Sequence, residues 1–406
     1  MNLEQRIKNA NKKFQDNDKD NHAHFLNLLE NIHNNAWDVI EGKKSHLAGS
    51  EFAHALSIIS ENRSVRGELE KDKVALETQV LGDGSLLGFN KWELLDPGWD
   101  EALLGWLEHI ECQAPFNSNP VNMKIPNHVK INIAGDWGTG YWRNTPLSPA
   151  ENVANAMLAK DADISIHLGD VYYAGTSEQE TNNLIDIWPD GKLASFTLNS
   201  NHEMYDGAFS YFEALKQKFT QQNQCSYFSL ENDDWLVVGL DSAYYSDKWK
   251  LFMEGEIGEQ QQSWLKGLPA KKGIILLSHH NAYDLNGEEQ QKLYKEVMEQ
   301  LKDQNNQLRY EQVFWYWGHL HNVASYKPMS FCDKPVLTRC VGHAAVPYGN
   351  ATDLEKATKV SWYETERAND PDIPVRVLNG FVEVTLSDNT LKEVLIDENG
   401  TIKWQQ

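Results

Sequence analysis

After residue 128 the chain repeats one pattern: a short apolar run of the kind that forms a buried strand, followed at once by polar side chains. Helical segments lie between these runs. The clearest helix start is Ser148-Pro149-Ala150-Glu151, with a capping serine, a proline at the first helical position and a glutamate that completes a capping box. Strands that alternate with helices predict an α/β fold. The predicted strands are 129–134, 164–168, 196–198, 235–240, 273–277 and 313–317, and a further helix is predicted from Asn286 or Glu289 to about Gln304.

Five of the predicted strands run directly into side chains that can bind metal ions. In open α/β sheets, ligands bind at the carboxyl ends of the strands, so clusters that are distant in sequence can meet at one rim. Asp, Asn, His and Tyr donate oxygen or nitrogen and suit hard or borderline metals. Each cluster alone has an ordinary explanation as a turn, a cap or a buried histidine pair, whereas five at strand ends favour one shared site. The clusters are Gly135-Asp136-Trp137-Gly138, Gly169-Asp170-Val171-Tyr172-Tyr173, Asn201-His202-Glu203, His279-His280 and Gly318-His319-Leu320-His321.

The composition limits the classes of partner. The formal net charge is −22, and a protein that binds a nucleic acid polymer normally carries a basic surface, so nucleic acid is not an expected partner. The chain has no apolar run of about 20 residues, and residues 1–14 have no apolar core for a secretory signal. The four cysteines form no C-x-x-C pair, which fits a reducing compartment. We therefore expect a cytoplasmic protein without a membrane partner; the sequence does not indicate the oligomeric state.

The first part of the chain has a different pattern. Residues 1–112 are predicted to be mainly helical, with apolar side chains at helical spacing in 25–32, 52–59 and 100–111. Residues 113–127 contain three prolines and no periodicity, and we place a linker and a domain boundary there. The simplest hypothesis is a helical region that packs as a cap on a catalytic domain of residues 128–406.

The motif order G-D-x-G, G-D-x-x-Y, N-H-E, H-H, G-H-x-H resembles the calcineurin-like metallophosphoesterase superfamily, in particular its purple-acid-phosphatase branch. The resemblance covers about residues 129–321, and the strand-rich tail 380–404 is also usual for the fold. It implies a four-layer αββα sandwich. Gly138 stands where most of the superfamily has histidine, and the purple acid phosphatases share this loss and compensate with the tyrosine that matches Tyr173. Ser200 stands where the family usually has glycine, and we expect it to affect the turn more than the donor.

The resemblance also implies a set of ligands, with Asp170 bridging two ions. The ions would be Fe(III) in the first site and a divalent ion (Zn, Mn or Fe) in the second, and a metal-bound hydroxide would attack the phosphorus. His202 would be the general acid or a transition-state donor, and the alternative is a structural hydrogen bond that orients the Asn201 loop. The first metal would be held by Asp136, Asp170, Tyr173 and His321, with Tyr172 or water as the alternative to Tyr173. The second would be held by Asp170, Asn201, His319 and His279, with His280 as the alternative to His279.

Further residues are expected near the ligands or the substrate. His280, Glu203 and His343 are candidates for hydrogen bonds to the ligands, and Arg143 is the nearest basic residue and a possible phosphate clamp. The predicted activity is hydrolysis of a phosphomonoester or phosphodiester of a small organic substrate. Two alternatives remain: a non-catalytic interaction protein that has kept the phosphoesterase fold, and a nuclease of the same superfamily.

Overall fold

The computed structural model describes residues 78–88, 90–94, 96, 98–140 and 147–406, without the side chains at 100, 101, 103, 104 and 107. The helices predicted at 25–32 and 52–59 lie outside the described residues, and so does Arg143. Within the described part, no helix is long and apolar enough to cross a bilayer.

Helices fill the connections between the strands. The capping box predicted at Ser148 is confirmed, because the Ser148 hydroxyl accepts from Glu151 N at 3.1 Å while the Glu151 carboxylate accepts from Ser148 N at 2.7 Å. The helices of the described residues that are given labels are α1 (Trp99–His109), α2 (Pro149–Lys160), α3 (Asn201–Tyr205), α4 (Phe209–Gln217), α5 (Glu259–Gly267) and α6 (Lys292–Gln300). Further short helical segments cover Ser177–Gln179, Glu180–Ile185, Thr220–Gln222, Lys248–Lys250 and Thr352–Lys356.

The strands form two large sheets and a small hairpin. The strands are β1 (Gln79–Val80), β2 (Leu86–Leu87), β3 (Val121–Lys124), β4 (His128–Ala134), β5 (Ile164–His167), β6 (Ala194–Thr197), β7 (Phe228–Glu231), β8 (Trp235–Leu240), β9 (Gly273–Ser278), β10 (Gln312–Trp317), β11 (Val323–Tyr326), β12 (Met329–Phe331), β13 (Lys334–Val341), β14 (Val360–Tyr363), β15 (Gly380–Ser387), β16 (Thr390–Asp397) and β17 (Ile402–Gln405). In the first sheet the order is β6-β5-β4-β15-β16-β17, and in the second it is β3-β7-β8-β9-β10-β13-β11-β14, with β12 paired to β13.

The two sheets pack face to face between layers of helix. Side chains of a strand point alternately to its two faces, and in β9 Ile275 joins the core between the sheets while Ile274 joins the core on the other face, with residues of α5 and α6. On the outer face of the first sheet, Val153 of α2 shares a core with Phe381 of β15. The chain is therefore an α/β protein with the predicted αββα layers.

The six predicted strands are confirmed with boundaries shifted by at most two residues, and the strand-rich tail is confirmed as β15 to β17. Two expectations need correction. The segment 113–127 is not a linker throughout, because β3 pairs in parallel with β7 at the edge of the second sheet. The helix expected from Asn286 begins only at Lys292, because Asp284 accepts from Glu288 N and Glu289 N and so forms a turn there.

The described residues between 78 and 112 contain the hairpin β1–β2 and the helix α1, and they pack on the part of the chain that carries the two large sheets. Trp99 and Trp106 of α1 are at most 1% exposed and belong to the same core as Trp137 and Tyr172. The predicted boundary within 113–127 stays a prediction.

Candidate metal centre

The donor clusters meet because both sheets end at the same rim. β4 and β5 are parallel neighbours in the first sheet and deliver Asp136 and Asp170. β9 and β10 are parallel neighbours in the second sheet and deliver His279 and the pair His319 and His321. Since the sheets face each other, these carboxyl ends lie together, as the sequence predicts.

Four of the donors have an unusual backbone. Asp136, Asp170, His319 and His321 have φ values of 59°, 74°, 68° and 43°. Residues other than glycine seldom adopt this left-handed region, and such strain collects at functional sites. The turns after the strands therefore hold these residues in backbone conformations that are locally unfavourable.

Asp136 is fixed by the backbone of the opposite sheet. Its Oδ1 accepts from His319 N at 2.9 Å, and its Oδ2 accepts from His321 N at 3.1 Å. A Cβ atom at Gly342 would lie 2.1 Å from Asp136 Oδ2, so only glycine fits there. Burial raises the pKa of Asp136 to about 8, against the opposing effect of His321.

One group of atoms surrounds the Nε2 atom of His279. Asn201 Oδ1 lies 2.9 Å from it, His319 Nδ1 3.1 Å and Asp170 Oδ1 3.2 Å. Ligands bonded to one metal at about 2.0–2.1 Å are separated from one another by roughly 3.0–3.4 Å. Each of the three distances to His279 Nε2 is therefore one that two ligands of a single ion can have, and Asp136, Asp170 and His279 form one group of donors that could hold an ion.

The hydrogen bonds around this group turn lone pairs of His279 and Asn201 toward each other. His279 Nδ1 lies 2.9 Å from Leu168 O and donates to it, so Nε2 presents a lone pair. Asn201 Nδ2 donates to the Tyr205 hydroxyl at 3.0 Å, which turns Asn201 Oδ1 toward His279. Burial lowers the pKa of His279 to about 3, so the ring is neutral. Lone pairs that face one another repel unless a cation lies between them, and the residues present therefore fit a metal ion.

A second group lies on the other side of the Asp170 carboxylate. Asp170 Oδ2 is 3.3 Å from His321 Nε2, Asp136 Oδ2 is 3.8 Å from the same atom, and the Tyr172 hydroxyl contacts it. Burial alone would raise the pKa of Asp170, but the surrounding histidines, His279 first, hold it well below its usual value. Asp170 thus contributes one oxygen to each group, as a bridging carboxylate does.

The tyrosine next to the second group is not the expected one. The Tyr173 hydroxyl donates to Asp96 Oδ2, and its ring stacks on Trp92 at 4.5 Å. The structure brings the Tyr172 hydroxyl to His321 instead, which favours Tyr172 as the phenol, and Tyr173 as a ligand stays a prediction. The physical reason is Asp96, which lies outside the sequence motif and accepts a hydrogen bond from the Tyr173 hydroxyl.

The hydrogen bonds of His280 distinguish it from His279 as a candidate ligand. His280 Nε2 lies 2.7 Å from Phe252 O, and its Nδ1 lies 2.9 Å from the Ser242 hydroxyl. Both nitrogens of His280 are thus engaged, so the structure favours His279 as the ligand.

His202 lies between the two groups and the segment 78–99. Its Nδ1 donates to Tyr173 O at 2.7 Å, and its Nε2 is 4.0 Å from Asp170 Oδ2. The ring is packed against Tyr172 at 4.1 Å between centroids. Its Nε2 therefore faces the bridging carboxylate, which fits either a proton donor or a loop-orienting residue.

Ser200 has a role that the sequence analysis missed. Its hydroxyl lies 2.6 Å from Asp170 Oδ1, accepts from His202 N at 3.0 Å and contacts Glu203 Oε2. Burial, and then Asp170, raise the pKa of Glu203 to about 8, so a protonated Glu203 can donate to Ser200 while Ser200 donates to Asp170. The sequence feature that indicates this role is a serine at a position where the family usually has glycine.

The remaining expected neighbour, His343, lies in the turn after β13. Burial lowers its pKa to about 3, and its backbone carbonyl accepts from Gly380 N at 3.1 Å. The next residue in this turn, Ala344, donates its N–H to Gly135 O at 3.0 Å, so the turn supports the first motif through the backbone.

Access to the centre is narrow. The candidate ligand side chains are buried except for His319, which is partly buried. Among these ligands, His319 is therefore the one that solvent reaches.

Comparison with known proteins identifies part of the chain. Residues 129–323 match the family model of the calcineurin-like phosphoesterases, a range that contains all five donor clusters. No curated protein matches the chain.

The solved structures to which the chain is similar have low sequence identity to it. The purple acid phosphatase PPD1 from yellow lupin (Lupinus luteus) seeds is 15% identical with a TM-score of 0.42, and the match covers 69% of this chain and 54% of that one. The chain thus spans about half the length of the lupin protein. GAP50, the anchor in the inner membrane complex of Plasmodium, is 16% identical with a TM-score of 0.44 and coverages of 69% and 88%. A mutant of Vps29 from Entamoeba histolytica is 8% identical with a TM-score of 0.27 and coverages of 68% and 98%.

Proposed function

Residues 129–323 form a calcineurin-like phosphoesterase domain, and from this premise we propose that the protein hydrolyses a phosphate ester of a small organic substrate with two metal ions. The observation that carries the proposal is the set of atoms around His279 Nε2. Oxygens of Asp170 and Asn201 and a nitrogen of His319 lie 2.9–3.2 Å from that lone pair. A cation bound among these atoms would offset the repulsion between their lone pairs.

Asp170, Asn201, His279 and His319 would hold one ion, and Asp136, Asp170, Tyr172 and His321 the other. When bound, the two ions would polarise the phosphoryl oxygens and lower the pKa of water to about 7. Two carboxylates and a phenol are hard anionic donors. We therefore propose Fe(III) in the site with Tyr172 and a divalent ion (Zn, Mn or Fe) in the other.

His202 would supply the proton for the leaving oxygen. The hydrogen bond from its Nδ1 to Tyr173 O fixes the ring, so Nε2 is the atom that holds and releases the proton. His202 is 2% exposed, and its surroundings exclude bulk water from this proton.

The test is metal analysis together with turnover of 4-nitrophenyl phosphate. We expect close to two ions per chain, and we expect turnover that a chelator abolishes and added metal restores. His319→Ala should lose metal and turnover. His128→Ala is the matched control, because the His128 side chain is 70% exposed at the start of β4 and remote from the cluster.

A purified, metal-supplemented chain that bound no metal, or that bound two ions and cleaved neither phosphomonoesters nor phosphodiesters, would contradict the proposal. The cytoplasmic location and the lack of nucleic-acid and membrane partners are proposals from the sequence alone.

A further inference from the structure

The loop after β8 supplies none of the candidate ligands, yet it lies at the same rim as they do. β8 and β9 are parallel neighbours with Leu240 opposite Ser278, so Asp241 and Ser242 follow their strand beside the residues that follow β9. Asp241 and Ser242 are both 0% exposed. Buried polar side chains need hydrogen-bond partners, and here those partners belong to two loops that carry candidate ligands.

Ser242 holds the backbone of His279 through the next residue. The N–H group of the peptide bond between His279 and His280 donates to Ser242 Oγ at 3.1 Å. Ser242 Oγ also lies 2.9 Å from His280 Nδ1. The other ring nitrogen, Nε2, donates to the Phe252 carbonyl, so in the neutral ring Nδ1 accepts from the Ser242 hydroxyl. Ser242 therefore binds both the backbone and the ring of the residue next to a candidate ligand.

Asp241 holds the loop that carries Asn201. Asn199 Nδ2 lies 3.3 Å from each carboxylate oxygen of Asp241 and donates to that carboxylate. Asn199 follows β6 in the first sheet, whereas Asp241 follows β8 in the second, so this hydrogen bond joins the two sheets at the rim. It restrains the chain two residues before Asn201.

The loop after β8 is itself anchored. Gln261 of α5 accepts from Asp241 N at 2.9 Å and donates to Asp241 O at 2.8 Å. Asp241 Oδ1 also accepts from Ala243 N and Tyr244 N, each at 3.0 Å. Because Asp241 is bound at its backbone and at its carboxylate, it is held in one position and can orient the loops that it contacts.

The distance that these contacts restrain is the one between Asn201 and His279. Asn201 Oδ1 and His279 Nε2 lie 2.9 Å apart, although their loops follow strands of different sheets. A metal site requires its ligands to be held within about 0.5 Å of the productive geometry. The other group of donors has its own bond between the sheets, from His321 N to Asp136 Oδ2 at 3.1 Å.

We infer that Asp241 and Ser242 are positioning residues that set the spacing of Asn201 and His279, and with it the affinity for the ion that these two ligands share. This inference rests on the proposed function of the metal centre. It places the control of one of the two metal sites in a loop outside the five donor clusters.

The test measures Zn²⁺ binding by calorimetry after removal of bound metal, with one site disabled at a time. In a His321→Ala background the remaining ion is held by the group around His279, and Ser242→Ala should weaken its binding by about 10–100-fold. In an Asn201→Ala background the remaining ion is held by the other group, and Ser242→Ala should leave its affinity unchanged. A general loss of stability would lower both affinities, so the two backgrounds separate positioning from folding.

A second variant acts on the other side of the loop. Asn199→Leu nearly keeps the volume of the side chain but removes the donor to Asp241, so it should show the same selectivity. It also serves if the Ser242 variant does not fold. Ser263→Ala, at an exposed position of α5, is the control.

The outcomes separate this inference from the proposed function. Selective weakening in the His321→Ala background would support the inference even if the protein hydrolysed nothing, because only binding is measured. Unchanged affinity in both the Ser242 and the Asn199 variants, or equal weakening in the two backgrounds, would overturn the inference and leave the proposed function standing. A wild type that bound no Zn²⁺ would overturn both.

Discussion

The Ser200 hydroxyl lies 2.6 Å from Asp170 Oδ1, the carboxylate oxygen that faces His279. The bridging carboxylate is therefore positioned by a side chain as well as by its own turn. Groups that hydrogen-bond to metal ligands typically contribute 10–100-fold to metal affinity or activity.

Ser200→Ala should weaken metal binding by about 10–100-fold, because Asp170 loses its donor. It should also lower the free energy of unfolding by about 1 kcal/mol, because Ser200 caps α3 through His202 N. Metal titration measures the first effect and denaturant unfolding of the metal-free protein the second. Ser361→Ala, on β14, is the control, and an affinity equal to that of the wild type would remove Ser200 from the site.

Asp170→Ala should cost more metal and more activity than the loss of any other donor, since Asp170 offers one oxygen to each ion. We expect metal content to fall from two ions per chain to well below one, as measured by elemental analysis. Asp388→Ala, at the exposed turn between β15 and β16, should keep both ions. A variant at 170 that retained two ions and normal turnover would show that the carboxylate does not bridge.

Tyr172→Phe and Tyr173→Phe should differ in colour. With Fe(III) in the proposed site, iron-loaded and oxidised protein should absorb visible light through charge transfer from a phenolate. The band should vanish in Tyr172→Phe, whose hydroxyl contacts His321, and remain in Tyr173→Phe, whose hydroxyl donates to Asp96. Visible spectra of the two variants beside the wild type decide the point, and the opposite result would restore Tyr173 as the ligand.

His202→Ala should lower kcat by about 10²–10⁴-fold while the metal content stays near two, because a general acid acts on the leaving oxygen and not on the ions. Esters with a very good leaving group need less protonation, so they should lose less. Rates for a series of aryl phosphates measure this dependence. Equal losses across the series would favour a purely structural role through the bond to Tyr173 O.

Gly342→Ala should displace Asp136, because the added Cβ would lie 2.1 Å from its Oδ2. We expect loss of the ion held by Asp136 and a large drop in activity, with the fold retained by circular dichroism. Gly267→Ala is the matched control, since a Cβ there meets no atom within 4 Å. Full metal content in Gly342→Ala would contradict the close contact.

The sequence predicts the parts of the fold that depend on local pattern. Buried strands such as β8 have an unbroken apolar run, and the donors follow directly at strand ends. The edge strand β3 was missed because half of its side chains face solvent and a proline-rich stretch precedes it. The later start of α6 was missed because the turn at Asp284 depends on side-chain hydrogen bonds that a helical pattern does not reveal.

The candidate site shows the same limit. The donors of the five clusters come together because the fold determines where strands end. The choice between Tyr172 and Tyr173 depends on Asp96, which is far from the motif in sequence. The choice between His279 and His280 depends on Phe252 and Ser242 in the same way. Contacts between distant segments decide these pairs, and a single sequence does not reveal them.

Asp136 joins the two sheets as well as offering a ligand, since its carboxylate binds the backbone N–H groups of His319 and His321 in the opposite sheet. Loss of metal binding would therefore not remove the structural need for an aspartate at this position. A related chain without hydrolytic activity would still need an acceptor at position 136 to hold the two sheets together at this edge, whereas the partly buried His319 side chain would be free to change. When related chains are sorted into active and inactive forms, the histidine is the informative marker and the aspartate is not.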